Sequence, residues 1–399
     1  MKEKLKYGYL PGNAIIYLFY VIIAHLQQVV VLAREVVIVG GGTSGLILAR
    51  ELGRRGIGAT VFESEKKIGT KADKASGILS ASGLSKLGIG FSDAIVNTLY
   101  GASLHAGKRS LHVRSEKLQA YVLDRIRLAE ICADEAKNAG AKIATGKKIG
   151  TEELEQFSAD GKIIVGADGG LSAVARWAKF PPIADHILTF KALFEDSERS
   201  TDDEVDLFFS ERFANGFFGW AVPYGKGIVE LGIGTKSGSW NSSEAFRRMM
   251  GEDSVKEAVG GGKMVDSKAS IIPVGTRSYT AKGEVMLVGD AAGQVKATTG
   301  GGIIFGGACA IVAAESISKH LERGEPLERY DKRWRKLYGN DLSMHRFIHA
   351  YYSKAGEAGV ERLLWLLDTL GMGGFLSKYG DMDRPSLMVK RFFLRGLAN

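Results

Sequence analysis

Apolar positions along this chain recur with two periods. Residues 35–39, EVVIV, form a β-branched run of strand length, and residues 59–63, ATVFE, form a second. Between them LILARELGRRG carries apolar residues at helical spacing and closes at Gly56. Two more apolar strands, IIVGADG at 163–169 and EVMLVGDAAG at 284–293, run into glycine and aspartate. The segment GGACAIVAAESISKHL at 306–321 reads as a long helix of small residues. Strand alternating with helix predicts an α/β fold on a largely parallel sheet. Over 345–399 helical patterns alternate with Gly breaks, and the last stretch, RPSLMVKRFFLRGLAN, is basic and amphipathic. That region predicts a helical cap, a membrane-surface contact or a packed accessory pair.

The N-terminus is of another kind. Residues 14–33 read AIIYLFYVIIAHLQQVVVLA, preceded by three lysines. A bilayer span needs about 20 apolar residues, and this stretch reaches that only by including His25, Gln27 and Gln28. A membrane anchor, an interfacial helix, a cleaved signal peptide and a poorly structured extension are the alternatives. Cleavage would have to fall almost on the strand that starts at Glu35.

Composition narrows the class. The chain has 399 residues, enough for two or three packed regions. Its 52 glycines gather in short runs and its prolines number 7, which excludes collagen and points to backbone approaching a ligand. Two distant cysteines, Cys132 and Cys309, build neither a disulfide framework nor a thiolate metal site, and no His spacing suggests a metal. The expectation is a cytoplasmic protein without a metal. Net charge is +8, held at the ends: +3 over residues 1–34 and +5 over 319–399. No nucleic-acid motif accompanies it. Basic termini beside apolar segments fit an anionic membrane surface, or simply a solubilising surface.

The strongest chemical signal follows the first strand. Gly40, Gly42 and Gly45 give GxGxxG between strand and helix, and Glu63 closes the second strand. Gly40 permits the tight turn, Gly42 lets backbone approach a pyrophosphate, and Gly45 lets helix pack on strand. The helix start turns free N–H groups and partial positive charge toward the phosphates. Glu63 accepts from the ribose hydroxyls. This motif alone does not separate FAD from NAD. Asp168 and Asp290, each ending a strand, and the second glycine-rich helix start at Thr298–Ile304 fit one extended dinucleotide, FAD.

Four segments together carry a family resemblance: GGGTSG with Glu63, KASGILSASGL at 74–84, GFFGWAVPYG at 216–225, and GDAAGQVKATTGGGI at 289–303. On them the chain resembles the geranylgeranyl reductase family of FAD-dependent oxidoreductases, which includes archaeal digeranylgeranylglycerophospholipid reductases. The resemblance implies a Rossmann-type FAD-binding domain, glutathione-reductase/hydroxylase-like, with an inserted antiparallel-sheet substrate domain and a helical C-terminal region. The implied layout is an extension over 1–34, a discontinuous FAD-binding domain over 35–180 and 270–340, a substrate domain over 181–269, and a helical region over 341–399. It places Ser44 in the phosphate loop, Ala75 and Gly77 over the flavin, and Arg125 near the cofactor. Asp290 falls at the ribityl chain, Gly302 and Ile303 at the ring, and Ile149 at the adenine. Phe218, Trp220, Pro223 and Tyr224, beside Phe217, fall where the family lines its isoprenoid cavity. Two departures stand out: Lys74-Ala75 where the family often has cysteine, and Ala297 where it tends to have proline.

The implied activity is reduction of C=C bonds in geranylgeranyl chains during isoprenoid, archaeal-type membrane lipid synthesis. Ferredoxin or NAD(P)H would supply electrons, since only one strand–GxGxxG–helix unit occurs. No catalytic acid is read from the sequence. The competing expectations are a flavin monooxygenase on the same fold and a membrane-bound electron-transfer flavoprotein.

Overall fold

The computed structural model describes residues 35–396 except 240, with side chains described to residue 391. The expectations for residues 1–34 lie outside the described residues. One six-stranded sheet runs, in spatial order, Ala281–Lys282, Val285–Leu287, Ile163–Gly166, Val36–Val39, Ala59–Phe62, Lys142–Ala144. All its pairs are parallel except the first. Val36 and Ile38 face a core built with the helices Thr43–Gly53, Arg125–Asn138 and Ile303–Arg323. Val37 and Val39 face the other core, with Ile149, Leu154 and Val174. A strand buried on both faces has no reason to alternate in polarity, which is why EVVIV reads as one apolar run. Each such side chain stabilises the fold by roughly 1.5–3 kcal/mol on burial.

The helix Ile303–Arg323 is long and apolar enough to cross a membrane, but it is mostly buried here. Its small residues let it lie close on the nucleotide helix: a Cβ on Gly307 would meet Ile47 Cδ1 at 2.8 Å. It is a core helix.

A second sheet has seven strands, in order Lys263–Val274, Asp185–Glu195, Ile228–Lys236, Gly219–Gly225, Glu204–Phe209, Gly101–Ala106, Arg109–Arg114. This corrects the expected substrate domain of 181–269 in two ways. The sheet recruits a hairpin from 101–114, and its last strand runs on to Val274. It is not purely antiparallel either, because Glu204–Phe209 pairs parallel with Gly101–Ala106. GASLHA alternates, with Ala102, Leu104 and Ala106 between Ser103 and His105, but the run is short and weakly apolar, and its place in this sheet is set by long-range pairing. A three-stranded sheet, Ile78–Ser80, Ala120–Leu123 and Ile95–Leu99, lies between the two. Leu99, Ala120 and Val122 pack on Val205 and Val222 of the seven-stranded sheet.

The C-terminal region is helical, as expected: Asn340–Thr369, Met372–Tyr379 and Pro385–Gly396. The first of these kinks at Gly356, whose φ is +63° and where a Cβ would collide with the Glu211 carboxylate. Its second half, with the next helix, covers the 101–114 hairpin through Val360, Leu364 and Leu376.

Candidate functional site

A continuous cavity of about 1280 Å³ lies where the sheets meet. One end is made of backbone. Gly40 has φ +111°, and a Cβ there would collide with the Ala167 carbonyl. A Cβ on Gly45 would collide with Gly40 O, so that glycine serves packing and does not line the cavity. A Cβ on Gly42 would meet nothing within 4 Å, because the residue faces the open cavity. The helix Thr43–Gly53 starts there with no side-chain cap and no acidic residue in its first turn. Its positive end is therefore free for an anion. Ser44 lines the same wall.

Glu63 is fixed from two sides. Its Oε2 accepts from Gly41 N at 2.8 Å, and its Oε1 accepts from Glu65 N at 2.8 Å. Ile149 is buried and lines the cavity beside it. Lys147 and Lys148 add positive charge at this end, with Lys147 Nζ 5.0 Å from the Phe62 ring centroid. Asp168 turns one oxygen to Ala173 N at 2.7 Å and Val174 N at 3.2 Å, and leaves the other buried without a partner among the described residues.

The other end is held by side chains. The loop Ala75–Gly77 is tied at three consecutive residues. Lys191 Nζ donates to Ala75 O at 3.2 Å, Arg125 to Ser76 O at 3.2 Å, and Gly77 N to Tyr224 Oη at 3.2 Å. Gly77 packs on the Leu123 carbonyl, where a Cβ would collide. Arg125 and Asp290 both face the cavity. Asp290 lies deep in the protein, and its exposure is to the cavity rather than to bulk water. Loss of bulk hydration pushes its carboxyl upward, against the attraction of Arg125. The same burial pulls the Arg125 guanidinium down. Gly302 approaches Asp290 so closely that a Cβ would sit 2.6 Å from Oδ1. The helix that starts at Ile303 again has no side-chain cap and no acidic first turn.

Beyond this the wall turns apolar, with Leu99, Val205, Leu207, Phe218, Trp220 and Leu376. Of the residues expected at the substrate, Phe218 and Trp220 line it. Pro223 and Tyr224 do not, which corrects that expectation: Tyr224 turns under the 75–77 loop to bond Glu230 Oε2 at 3.0 Å. Phe217 backs Phe218 in a stacked pair, 4.3 Å between centroids.

Two buried ion pairs were not anticipated. Lys191 and Glu230 pair at 2.7 Å, and Lys296 and Asp383 at 2.7 Å. Ser80 also donates to Asp383, and His345 bridges Thr298 Oγ1 at 2.7 Å and Asp383 O at 3.3 Å. The signal in sequence was a charge inside an apolar strand, FKALF and IVELG, and a lysine within the glycine-rich GDAAGQVKATTGGG.

The residues fit FAD. Two uncapped helix starts, a fixed carboxylate and a ring-end carboxyl line one continuous cavity. Ser76 Oγ and Arg125 Nε are buried on its wall with no hydrogen-bond partner among the described residues. Buried polar atoms are rarely left unpaired, so this wall is shaped for a polar ligand.

Fold and cavity together define a flavoprotein that holds a dinucleotide at the carboxyl ends of the strands of a largely parallel sheet. The chain belongs to the FAD binding domain family, which matches residues 33–333. It is an FAD-dependent oxidoreductase. It is 28% identical over 358 residues to a digeranylgeranylglycerophospholipid reductase of Methanothrix thermoacetophila, covering 83% of this chain and 90% of that protein. An uncharacterised protein of Methanocaldococcus jannaschii is 29% identical over 371 residues, covering 89% and 94%. Among solved structures, a geranylgeranyl bacteriochlorophyll reductase-like protein of Thermoplasma acidophilum superposes with a TM-score of 0.76 at 20% identity, covering 90% of this chain and 95% of that one. A flavin-dependent brominase shares the fold at 14% identity with a TM-score of 0.64, covering 92% and 100%. The family resemblance read from the four sequence segments is therefore met.

Proposed function

We propose that this protein saturates C=C bonds of geranylgeranyl chains in isoprenoid membrane lipids of the archaeal type. The observation that carries the reading is the continuous cavity, polar and glycine-walled at one end and lined by Leu99, Leu207, Phe218 and Trp220 at the other. An isoprenoid chain offers only apolar surface, worth roughly 25 cal/mol per Å² buried. An apolar channel opening on the flavin end suits it. The reductase names of the relatives point the same way.

FAD, when bound and reduced, supplies the hydride to one alkene carbon, and a proton completes the other. The protein's own part is alignment and exclusion of water. Thr43 and Ser44 present amides to the pyrophosphate, and Glu63 takes the ribose. Asp290 and Arg125 serve the ribityl chain and the flavin. The amides of Gly302 and Ile303 serve the ring. Phe218 and Trp220 hold the chain against it. Electrons arrive from ferredoxin or NAD(P)H.

The protein acts in the cytoplasm, peripherally attached to the membrane that holds its substrate. Leu337, Phe347, Trp365 and Leu370 are exposed between positions 337 and 370, and residues 319–399 carry a net charge of +5 concentrated before and after that stretch. Exposed apolar residues beside positive charge favour an anionic lipid surface.

The test is anaerobic incubation of dithionite-reduced protein with geranylgeranylated lipid, followed by mass spectrometry. Gain of hydrogen pairs by the lipid is the expected result. An unchanged lipid mass overturns the reading, and oxygen-dependent hydroxylation would assign the protein to the monooxygenases instead.

A further inference from the structure

Lys191 and Glu230 are buried to 7% and 0% exposure, with Nζ and Oε2 2.7 Å apart. Burying two charges costs several kcal/mol per ion, and apolar replacements of such pairs are often as stable. Stability alone therefore does not account for the pair. Its contacts do. Glu230 Oε1 accepts from Trp220 Nε1 at 3.0 Å, and Oε2 accepts from Tyr224 Oη at 3.0 Å. Tyr224 Oη in turn accepts from Gly77 N, and Lys191 Nζ donates to Ala75 O, both at 3.2 Å. The Trp220 ring lies on Gly232, where a Cβ would collide with it. The indole is thus fixed from its face and from its edge. Through these bonds Glu230 and Lys191, on the seven-stranded sheet, connect the loop on the cofactor side with the Trp220 ring of the cavity wall.

We propose that Glu230 and Lys191 are a positioning pair that locks the Ala75–Gly77 loop and the Trp220 ring into one fixed relation across the cavity. The pair touches neither cofactor nor substrate. It acts through Tyr224, Trp220 and two backbone groups, and so sets the gap between flavin and the group to be reduced. The loop half stands on FAD binding alone. The Trp220 half rests on the reading that the apolar wall holds the substrate.

The deciding experiment uses the full-length holoprotein with Lys191→Met and Glu230→Met combined. Two apolar side chains replace the pair, so the fold is kept, while Tyr224 and Trp220 lose their acceptor. The expected result is a folded protein whose melting temperature falls by a few degrees, about what unpaired Trp220 and Tyr224 donors cost, with FAD Kd raised about tenfold and a visible flavin band that shifts and loses fine structure. With a geranylgeranylated substrate, kcat falls about a hundredfold while KM changes by no more than about threefold. Unchanged FAD Kd, flavin spectrum and kcat would overturn the proposal and leave the pair a structural feature only. If the double variant fails to fold, Tyr224→Phe decides: loss of one hydroxyl must still raise FAD Kd about tenfold, and an unaltered Kd refutes the loop half. FAD Kd and spectrum are read without substrate, so failure of the alkene reading would leave them valid.

Discussion

The two ends of the cavity are built by different means. At the Gly40–Glu63 end, backbone does the binding: a left-handed glycine, an uncapped helix start and one carboxylate fixed by amides. At the Ala75–Asp290 end, buried side chains hold backbone in place through Lys191–Glu230, Lys296–Asp383 and Arg125. The first end grips a feature common to dinucleotides. The second must fix a reactive ring against a particular partner, and it uses charge where the first uses shape. One consequence is that the two ends should fail differently.

The largest effect is expected from Gly40→Ala. A Cβ at φ +111° collides with the Ala167 carbonyl, so strand and loop must part. The purified variant should be colourless and fail to take up added FAD. Gly42→Ala faces open space; it should melt like the unsubstituted protein and lose only cofactor affinity. Equal loss of stability in both would break the contrast.

Next is Lys296→Met, which strands the buried Asp383 carboxylate. Burial alone would raise that carboxyl, but Lys296 and its hydrogen bonds hold it below the usual range. Breaking one side of a buried pair costs about 3–5 kcal/mol, readable by urea unfolding. A loss under about 1 kcal/mol, within the range of an exposed pair, would contradict the placement.

A pH effect follows at the same end. Burial, then the Lys296 ammonium, lowers the His345 pKa from 6.5 to about 4. The folded state thus binds fewer protons than the unfolded state between those values. The contribution is fully present above pH 6.5 and is lost as pH falls toward 4, about 3 kcal/mol in all. His345→Gln should flatten the stability profile over that window. A profile of unchanged slope would show that His345 takes no part.

The smallest effect belongs to Glu63→Ala, with FAD Kd raised about tenfold by titration of apoprotein. Gly41 would also lose its acceptor. An unchanged Kd would remove Glu63 from the site.

The same contrast decides what the sequence disclosed. The ADP end is local, so strand, glycines, helix and Glu63 stand in order within one βαβ unit. The helix after Gly302 was legible too, from its small residues. The ring end joins distant segments: Gly77 and Tyr224 lie 147 residues apart, Ala75 and Lys191 116, Lys296 and Asp383 87. No local period marks such pairings. In sequence Tyr224 groups with the substrate wall because it follows Trp220 and Pro223. Alternation removes Pro223, which turns to the face opposite Trp220, whereas Tyr224 shares the Trp220 face and is drawn from the wall by its hydroxyl, which bonds Gly77 N and Glu230. The 101–114 hairpin alternates locally, but the strand that draws it into the seven-stranded sheet, Glu204–Phe209, lies far along the chain, and no local pattern marks that pairing.

The central claim is that FAD at one end of the cavity reduces an isoprenoid double bond at the other. It is tested most directly by mixing fully reduced holoprotein with geranylgeranylated lipid in the strict absence of oxygen and following flavin absorbance. Reoxidation of one FAD for each double bond lost from the lipid is the expected result. Flavin that stays reduced until oxygen is admitted would contradict it.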